Sequence, residues 1–230
     1  MSTLDRHLSH LLRLTDVEGR AAIDVGCGKG GLVRALSSLG AKVTGVEISS
    51  DRVADASARP KVADERYVVG VGESVPADSG SADLVTYLFS LHHVPIPQQG
   101  AAIAEASRLL RPGGRLHVAD PLPEGPMTEV LQPIEDERAV RTAAHTLMDE
   151  LDGDGWTLLE KSIYEIERSY AELDDFIAGA VLVDPTRTAR LADKRGTLAE
   201  RFADRAKKRD GRYWLRQPCV LYHLMQASHY

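Results

Sequence analysis

The hydrophobic positions in the first half of the chain alternate between two periodicities. Five short apolar runs are typical of buried strands, and they read RAAIDVG, AKVTGVEI, RYVVGV, ADLVTYLF and RPGGRLHVAD. Segments with helical spacing lie between them, among them GGLVRALSSLG, which Gly40 is expected to end. Buried strands that alternate with helices predict an α/β fold, with a parallel sheet covered by helices on both faces.

The second half of the chain has a different pattern. The stretches GWTLLEKSIYEIERS and GRYWLRQPCVLYHLMQ read as two further strands, and helix signals fill the sequence between them. Gly196 is expected to end one of these helices, and the capping box Thr197–Glu200 is expected to start the next. The sequence therefore predicts a single domain over residues 1–230, with a helical insertion at residues 170–209 before the last strand.

Composition and charge narrow the class of protein. Of the 230 residues, 43% are hydrophobic and 27% are charged, as in ordinary globular proteins. The net charge of −6 argues against a general attraction to nucleic acid or to an anionic membrane. No apolar run approaches the ~18 residues of a membrane span, and the amphipathic N-terminus lacks the features of a signal peptide. Cys27 and Cys219 form no disulfide framework, so we expect a cytoplasmic protein.

Four glycines crowd the turn between the first strand and the helix that follows it. The stretch AAIDVGCGKGGLVRAL places Gly26, Gly28, Gly30 and Gly31 where a ligand can approach bare backbone and the N–H groups of a helix start. A phosphate-binding P-loop needs a lysine followed by serine or threonine, which this stretch lacks. Gly26, Gly28 and Gly31 formally match the dinucleotide-binding pattern, so an NAD(P)-dependent oxidoreductase is one alternative. A plain tight turn is another.

Two acidic residues favour a different ligand. Asp24 comes just before the glycines, where its carboxylate would repel a pyrophosphate and would suit an ammonium group. Glu47 ends the second strand, where an acid accepts hydrogen bonds from ribose hydroxyls in folds of this kind. S-adenosylmethionine has a ribose, an ammonium group and a sulfonium but no phosphate, so it fits both acids. The simpler alternatives are a turn carboxylate at Asp24 and an exposed charge at Glu47.

Four stretches of the chain resemble successive motifs of the class I S-adenosylmethionine-dependent methyltransferases. They lie within residues 18–122 and read AAIDVGCGKGGLVRAL, VTGVEIS, GVGESVPADSGSADLVTYLFSLHHVP and EASRLLRPGGRLHVADP. They are most similar to the small-molecule group called type 11. The resemblance implies a Rossmann-like, seven-stranded mixed sheet whose last strand is antiparallel and lies beside the sixth. It also implies S-adenosylmethionine as the methyl donor and S-adenosylhomocysteine as the product.

The resemblance assigns residues to the cofactor. The glycine loop would lie under the methionine part, with Asp24 helping to place it, and Glu47 would bind the ribose. In full, the expected cofactor contacts are Asp24, Gly26, Gly28, Gly30, Glu47, Ile48, Gly72, Glu73, Leu88 and Phe89. Cys27 is expected to pack within the loop and not to act as a nucleophile.

One motif departs from the family pattern. Members usually carry Gly-Asp-Ala-Glu, in which the aspartate reaches the adenine amino group, whereas this chain has Gly70–Glu73 with valine at the second position. Val71 cannot accept that hydrogen bond. The backbone at Gly72 or the side chain of Glu73 would have to replace it.

The acceptor and the catalytic base are less well defined. The fourth motif ends in SLHHVP, where enzymes that methylate nucleic-acid bases often carry an Asn/Asp-Pro-Pro-Tyr/Phe run, so we expect a small-molecule acceptor and no nucleic acid. A base is needed only for a hydroxyl or a protonated amine, and the candidates are His92, His93 and Asp120, followed by Tyr87 and His145. Adjacent histidines on an extended strand would face opposite ways, so no metal is expected. A protein that binds the cofactor without catalysis is a second alternative.

The insertion carries an excess of positive charge. Residues 187–212 contain ten Lys or Arg and four Asp or Glu, a balance of +6. We expect a buried side made of Phe176, Ile177, Val181, Leu191, Leu198 and Phe202. As a lid over the acceptor, the insertion would use Arg187 or Arg190 to favour an anionic acceptor. A solvated face with internal charge pairs is one alternative. A nucleic-acid patch is another, although no aromatic residues lie among the charges. No oligomeric state is predicted.

Overall fold

The computed structural model describes residues 3–227, which form eight α-helices and eight strands. The helices are α1 Thr3–Leu14, α2 Gly31–Ser38, α3 Ser50–Ser57, α4 Ile96–Leu109, α5 Pro126–Leu131, α6 Arg138–Asp149, α7 Leu173–Val183 and α8 Thr188–Arg205. The strands are β1 Ala21–Val25, β2 Lys42–Glu47, β3 Arg66–Val69, β4 Ala82–Leu88, β5 Leu110–Pro121, β6 Trp156–Tyr170, β7 Lys207–Arg209 and β8 Arg212–Gln226. Two 3-10 helices span Leu91–His93 and Pro185–Arg187.

The strands form one mixed sheet in the order β3-β2-β1-β4-β5-β8-β6, and β7 pairs with β8. The first five strands in this order are parallel neighbours, with Asp24 opposite both Gly45 on β2 and Thr86 on β4. Parallel strands end at the same edge of a sheet, so the segments that follow β1, β2, β4 and β5 meet there. The α/β fold is confirmed, and the last long strand lies beside the sixth as expected.

Strand β7 was not predicted. Lys207–Arg209 pairs antiparallel with the start of β8 across Asp210 and Gly211, whose φ angles are 50° and 74°. An Asp-Gly pair with both residues in the left-handed region is the usual two-residue hairpin turn. The sequence therefore contained the signal for this hairpin, although the three strand residues are all charged and carry no apolar pattern.

The chain divides into two compact units. The described residues of the first unit are 3–120, 143–162 and 220–227, and the second unit contains residues 121–142 and 163–219. The predicted insertion, residues 170–209, falls within the second unit. A single functional domain over residues 1–230 stays a prediction.

The core of the first unit joins the N-terminal helix to the start of the sheet. Its buried members are Leu11, Val17, Ala22, Cys27, Leu32, Val33, Leu36, Ala41, Val43 and Leu84. Leu4 and Leu8 of α1 pack against this cluster from one side of the helix. The amphipathic spacing of α1 thus fixes the helix beside the glycine loop, and Leu4 Cδ2 lies 3.6 Å from the position that a Cβ on Gly31 would take.

The second unit has its own core, which contains the apolar residues predicted for the insertion. Phe176, Ile177, Leu198 and Phe202 are buried, while Val181 and Leu191 pack against them. The expected helix break at Gly196 is wrong, because α8 continues through it to Arg205. Glycine costs a helix about 1 kcal/mol. The packing of Leu191 before Gly196 and of Leu198 and Phe202 after it outweighs that cost.

None of the helices within residues 3–227 combines the length and apolar content needed to cross a membrane.

Candidate cofactor and active site

The glycine loop is anchored to the neighbouring strand by its own backbone. The N–H groups of Gly26 and Cys27 both donate to the Val46 carbonyl, at 2.8 and 2.9 Å. The hydroxyl of Ser90, in the segment after β4, donates to the Val25 carbonyl at 2.6 Å. Three strand ends are thereby joined around the loop.

The three positive-φ glycines assigned to the cofactor are required for different reasons. A Cβ on Gly26 would lie 2.4 Å from the Ser90 Cβ, and one on Gly30 would lie 2.5 Å from the Tyr67 ring, so close packing excludes side chains there. Gly28 has a φ of 54°, yet a Cβ at this position would meet nothing within 4 Å. Its backbone conformation favours glycine and its surface is open, as a loop that supports a ligand requires.

Asp24 is a buried carboxylate with a neutral partner. It is 2% exposed, and its Oδ1 accepts a hydrogen bond from the Thr86 hydroxyl at 2.7 Å. Burial raises the pKa of Asp24 to about 7, the hydrogen bond from Thr86 opposes this rise, and the negative charge of Glu47 adds to it. A cationic group beside Asp24 would restore its ionised form.

Glu47 is not the exposed charge of the simpler alternative. It is 4% exposed, and its two oxygens accept from the N–H of Gly28 at 2.9 Å and the N–H of Ser49 at 3.1 Å. Each carboxylate oxygen has two lone pairs, so both can accept a further hydrogen bond. The next residue, Ile48, is 71% exposed. Glu47 and Ile48 therefore present an anchored acid beside an open apolar surface.

Two groups of the valine-containing motif could accept a hydrogen bond from the adenine amino group, and they differ in their surroundings. The carbonyl of Gly72 already faces the Tyr87 hydroxyl at 3.4 Å, and that hydroxyl also donates to the Ala102 carbonyl at 3.1 Å. Gly72 is buried and Glu73 is half-buried. Of the two candidates for the adenine amino group, the Glu73 side chain is therefore the one without this competing contact.

The segment after β4 is strained. Leu88 ends the strand half-buried, and Phe89 follows it with a φ of 57°, in the region that disfavours side chains. The Phe89 N–H donates to the Ala119 carbonyl at 2.8 Å, and its ring meets that of His7 edge-on at 4.6 Å. Strain of this kind persists where the surroundings impose it, often at functional sites.

His92 and Asp120 form a buried pair at this edge of the sheet. His92 Nδ1 lies 2.9 Å from Asp120 Oδ1, and the His92 N–H donates to Asp120 Oδ2 at 3.2 Å. Both residues are at most 3% exposed. One contact is to the backbone and the other to the ring, so that Nδ1 faces the carboxylate and Nε2 is the nitrogen turned away from it.

The expected orientation of the two histidines is wrong. They lie in the 3-10 helix Leu91–His93 and not on an extended strand, because the N–H groups of His93 and Val94 bond to carbonyls three residues back. Their rings lie side by side, with centroids 4.1 Å apart, and His93 is exposed. The orientation argument against a shared metal therefore does not hold, and independence from metal stays a prediction.

The other candidate groups are held in different settings. Burial raises the pKa of Tyr87 far above its usual value, and its hydroxyl is engaged by carbonyls. His145 lies on α6, with its ring 6.5 Å from that of Tyr222. Burial likewise raises the pKa of the Cys27 thiol well above its ordinary range. Cys27 Sγ fills the space beside Gly45, so its side chain packs the loop.

The arginines expected to meet an anionic acceptor are used within the second unit. Arg187 is 4% exposed, pairs with Glu135 and Glu137, and donates to the Ala180 carbonyl at 2.8 Å. Arg190 donates to the Ile134 carbonyl. The expectation that Arg187 faces an acceptor is wrong, because two glutamates before α6 hold its guanidinium.

Three residues of the site were missed by the sequence reasoning. Thr86 and Ser90 bind the buried carboxylate and the loop, and His7 contacts Phe89. His7 stands on the apolar side of α1, between Leu4 and Leu11, which is a signal the periodicity contained. Thr86 and Ser90 become recognisable only when the strand register is known.

Comparison with known proteins finds a family match over part of the chain. Residues 23–118 match the family model described as a methyltransferase domain. A ubiquinone biosynthesis O-methyltransferase from Xanthomonas oryzae pv. oryzae is 34% identical over 115 residues, which cover 49% of this chain and 47% of the relative. The chain thus spans about half the length of the curated relatives it matches.

Solved structures share the fold over nearly the whole chain. The YcgJ protein from Bacillus subtilis has a TM-score of 0.68 and 18% identity, with coverage of 98% of this chain and 100% of that chain. A protein from Bacillus halodurans C-125, proposed to be a methyltransferase, has a TM-score of 0.65 and 22% identity, with coverage of 96% and 99%. These likenesses establish the Rossmann-like fold.

Proposed function

We propose that this chain is a class I S-adenosylmethionine-dependent methyltransferase and that it methylates a hydroxyl oxygen of a small organic acceptor. The family match of residues 23–118 supports the first part of this proposal. The observation that carries the choice of a hydroxyl is the His92–Asp120 pair, which gives this edge of the sheet a base. The name O-methyltransferase of the relatives supports the same choice.

The residues at the strand ends fit the cofactor. Gly28 offers open backbone, Asp24 offers a carboxylate that a cation would ionise, and Glu47 offers free lone pairs next to the exposed Ile48. We assign the methionyl end to Asp24 and the glycine loop, the ribose to Glu47, and the adenine to Ile48 and Glu73. When bound, S-adenosylmethionine supplies an electrophilic methyl group on a sulfonium sulfur.

The residues of the chain then have separate tasks. Asp120 holds Nδ1 of His92 as the protonated nitrogen, so that Nε2 can accept the proton of the acceptor hydroxyl. The negative charge of Asp120 stabilises the imidazolium that forms. Positioning supplies the rest, and it can lower a barrier by about 7–11 kcal/mol. Leu88 and Phe89 form the wall beside the base, and His93 lies at its exposed side.

The two alternatives are weaker. An NAD(P)-dependent oxidoreductase would bring a pyrophosphate to the loop beside two buried carboxylates, Asp24 and Glu47. A protein that only binds the cofactor would have no use for an oriented histidine at the same edge as the loop. Neither alternative has support from the family match.

The residues that contact the methyl acceptor are proposed only at the level of a segment. We keep the proposal that residues 170–209 cover the acceptor, and the test is replacement of that segment by a short turn, which should spare cofactor binding and abolish methyl transfer. An anionic acceptor would have to be read by exposed basic residues such as Lys194, since Arg187 is engaged. Cytoplasmic action remains our inference, and the free, buried Cys27 and Cys219 suit a reducing compartment.

An acceptor panel with a labelled methyl donor tests the choice of atom. Phenols and catechols should be methylated on oxygen, because a base at this edge of the sheet can accept the proton of their hydroxyl group. Matched anilines and thiophenols are the comparison, since a neutral amine or a thiolate needs no base. Preferential transfer to nitrogen or sulfur, or S-adenosylhomocysteine binding with no turnover on any acceptor class, would count against the proposal.

A further inference from the structure

A polar cavity lies at the amino ends of three strands of the first unit, away from the glycine loop. Its volume is about 210 Å³. The wall comes from the segment between α1 and β1, the start of β4 and the first part of β5, and consists of Thr15, Asp16, Arg20, Asp83, Leu84, Arg111, Pro112, Gly113, Gly114 and Arg115. Because β1 separates this cavity from the loop after Val25, the cavity is not part of the cofactor site.

The cavity is positively charged in an acidic protein. Its wall has three arginines and two aspartates, which leaves a net +1, whereas the whole chain carries −6. Charge of this sign attracts an anion, and a concave wall strengthens the attraction.

Both aspartates already have donors of their own. Asp83 Oδ2 accepts from the Ala21 N–H and from the Arg111 guanidinium, each at 2.8 Å. Burial raises the pKa of Asp83, but these two donors, with the positive charges of Arg111 and Arg20, outweigh it and hold the pKa below its usual value. Asp16 accepts from the Glu18 N–H at 3.2 Å. Arg111 is therefore neutralised by Asp83.

The other two guanidinium groups have donors to spare. Arg20 is exposed and forms no ion pair with any residue between positions 3 and 227. Arg115 is half-buried, and one of its terminal nitrogens donates to the Gly113 carbonyl at 2.9 Å. A guanidinium has five N–H donors, so each group can bind two oxygens of one anion.

Two glycines in the first part of β5 contribute backbone but no side chains to the wall of the cavity. Gly113 has a φ of 76°, and a Cβ added to it would meet nothing within 4 Å, which leaves open space above it. A Cβ on Gly114 would lie 2.9 Å from the Arg111 carbonyl oxygen. The positive φ at Gly113 and the close contact at Gly114 both disfavour a side chain. This part of the cavity therefore stays open.

We propose that this cavity binds a small oxyanion, the phosphoryl or carboxylate group of a metabolite, through Arg20 and Arg115. Its volume corresponds to about seven water molecules at ~30 Å³ each, which suits a phosphate or a small dicarboxylate. Drug-sized ligands need pockets of roughly 300 Å³ or more. The planar guanidinium fork matches both oxyanions, and Thr15 adds a hydroxyl to the wall.

Calorimetric titration with inorganic phosphate and with malonate, in sodium chloride of matched ionic strength, tests the site. We expect at least one of the two anions to bind, and Arg20→Gln to weaken that binding about tenfold or more. Arg59→Gln is the control, because it removes the same charge from an exposed position after α3. Arg20→Lys keeps the charge without the fork and should fall between wild type and Arg20→Gln.

The two anions distinguish the sources of the oxyanion. Binding of phosphate alone assigns a phosphoryl group, binding of malonate alone assigns a carboxylate, and either result supports the site. The proposal is overturned if neither anion binds more tightly than chloride, or if Arg20→Gln and Arg59→Gln bind alike. Since no cofactor or acceptor enters the titration, its outcome is independent of methyl transfer.

Discussion

Two buried acids, one in each unit, are held in opposite ways. In the second unit Glu137 pairs with Arg141 and Arg187, and all three are less than 8% exposed. In the first unit Asp24 is equally buried, but its hydrogen bond comes from neutral Thr86, and the nearest charge that acts on it is negative. Charges paired with opposite charges serve the fold, whereas a buried acid beside another acid is suited to a cationic ligand.

Backbone strain in the first unit lies close to the proposed active site. Phe89 has a left-handed backbone directly after β4, three residues before the buried His92. Open space at Gly28 and the exposed apolar side chain of Ile48 lie at the same strand edge. Features that cost stability are thus concentrated where we place the cofactor and the base. Substitutions in the two units should therefore differ in whether they change activity or stability.

The largest effect is expected at the base. His92→Phe and Asp120→Asn should each lower kcat by about 100-fold or more, because general base catalysis contributes roughly 10²–10⁴-fold. S-adenosylhomocysteine affinity should change little, which calorimetry can measure in parallel. His93→Phe is the matched control and should retain most of the activity. Loss of less than about threefold in both variants would remove His92 from catalysis.

The second unit should respond in stability instead. Arg187→Glu places a negative charge beside Glu135 and Glu137 and should destabilise the protein by about 3–5 kcal/mol, the usual cost of breaking a buried pair. Arg195→Glu breaks an exposed pair with Asp174 and should cost about 1 kcal/mol or less. Urea unfolding measures both. Equal midpoints for the two variants would show that Arg187 is not held as the structure indicates.

Much of this comparison was already present in the sequence. The glycine loop, Asp24 and Glu47 were recognisable because ligand chemistry restricts residue types at strand ends. The buried side of the insertion was recognisable from helical spacing, since Phe176 and Phe202 both pack into the second core. Local patterns are reliable where one physical requirement dominates a short stretch.

The remaining features depend on tertiary structure. Arg187 has the same sequence appearance as its exposed basic neighbours, and only the fold of the second unit brings it to Glu135 and Glu137. The pairing of His92 with Asp120 joins residues 28 positions apart through the 3-10 helix after β4, which the apolar pattern did not predict. Gly196 is the opposite case. Glycine is a common signal for the end of a helix, but α8 continues through it because the helix packs into the second core.

A smaller effect is expected at the ribose acid. Glu47→Ala should weaken S-adenosylhomocysteine binding by about 1.5–3 kcal/mol, the scale of hydrogen bonds to a charged group. Calorimetry measures the loss. Glu65→Ala is a control that removes another buried carboxylate, one that accepts from the N–H groups of Val62 and Ala63 and pairs with Arg34 at 3.6 Å. NAD binding without S-adenosylhomocysteine binding in the wild type would contradict the cofactor assignment.

The pH dependence of cofactor binding tests whether the ionised carboxylate of Asp24 binds the cofactor. Since its pKa is raised to about 7, the carboxylate is protonated below pH 7 and cannot pair with an ammonium group without losing that proton. Affinity should therefore rise with pH by up to tenfold per unit below 7 and level off above it. Asp24→Asn should bind weakly and without this slope. A slope that persists in Asp24→Asn would move the titration to another group.

Protein stability should change with pH in the opposite direction from cofactor affinity. The folded pKa of Asp24 lies above its unfolded value of 3.8, so the folded state keeps a proton that the unfolded chain releases between pH 3.8 and about 7. This group therefore lowers stability as pH rises through that range. Urea midpoints compared between wild type and Asp24→Asn at pH 5 and pH 8 isolate its contribution, and an equal difference at both values would contradict it.

The smallest effect is expected on removal of metal. Chelator should leave kcat unchanged, because the His92–Asp120 pair is sufficient as a base and methyl transfer from a sulfonium needs no Lewis acid. The neighbouring rings of His92 and His93 make the experiment informative, since a histidine that donates Nδ1–H to a carboxylate is also the usual form of a metal ligand. If chelator abolishes activity and one divalent ion restores it, Asp120 orients a ligand and not a base. His92→Phe would then lose metal affinity together with activity, whereas for a base it loses activity alone.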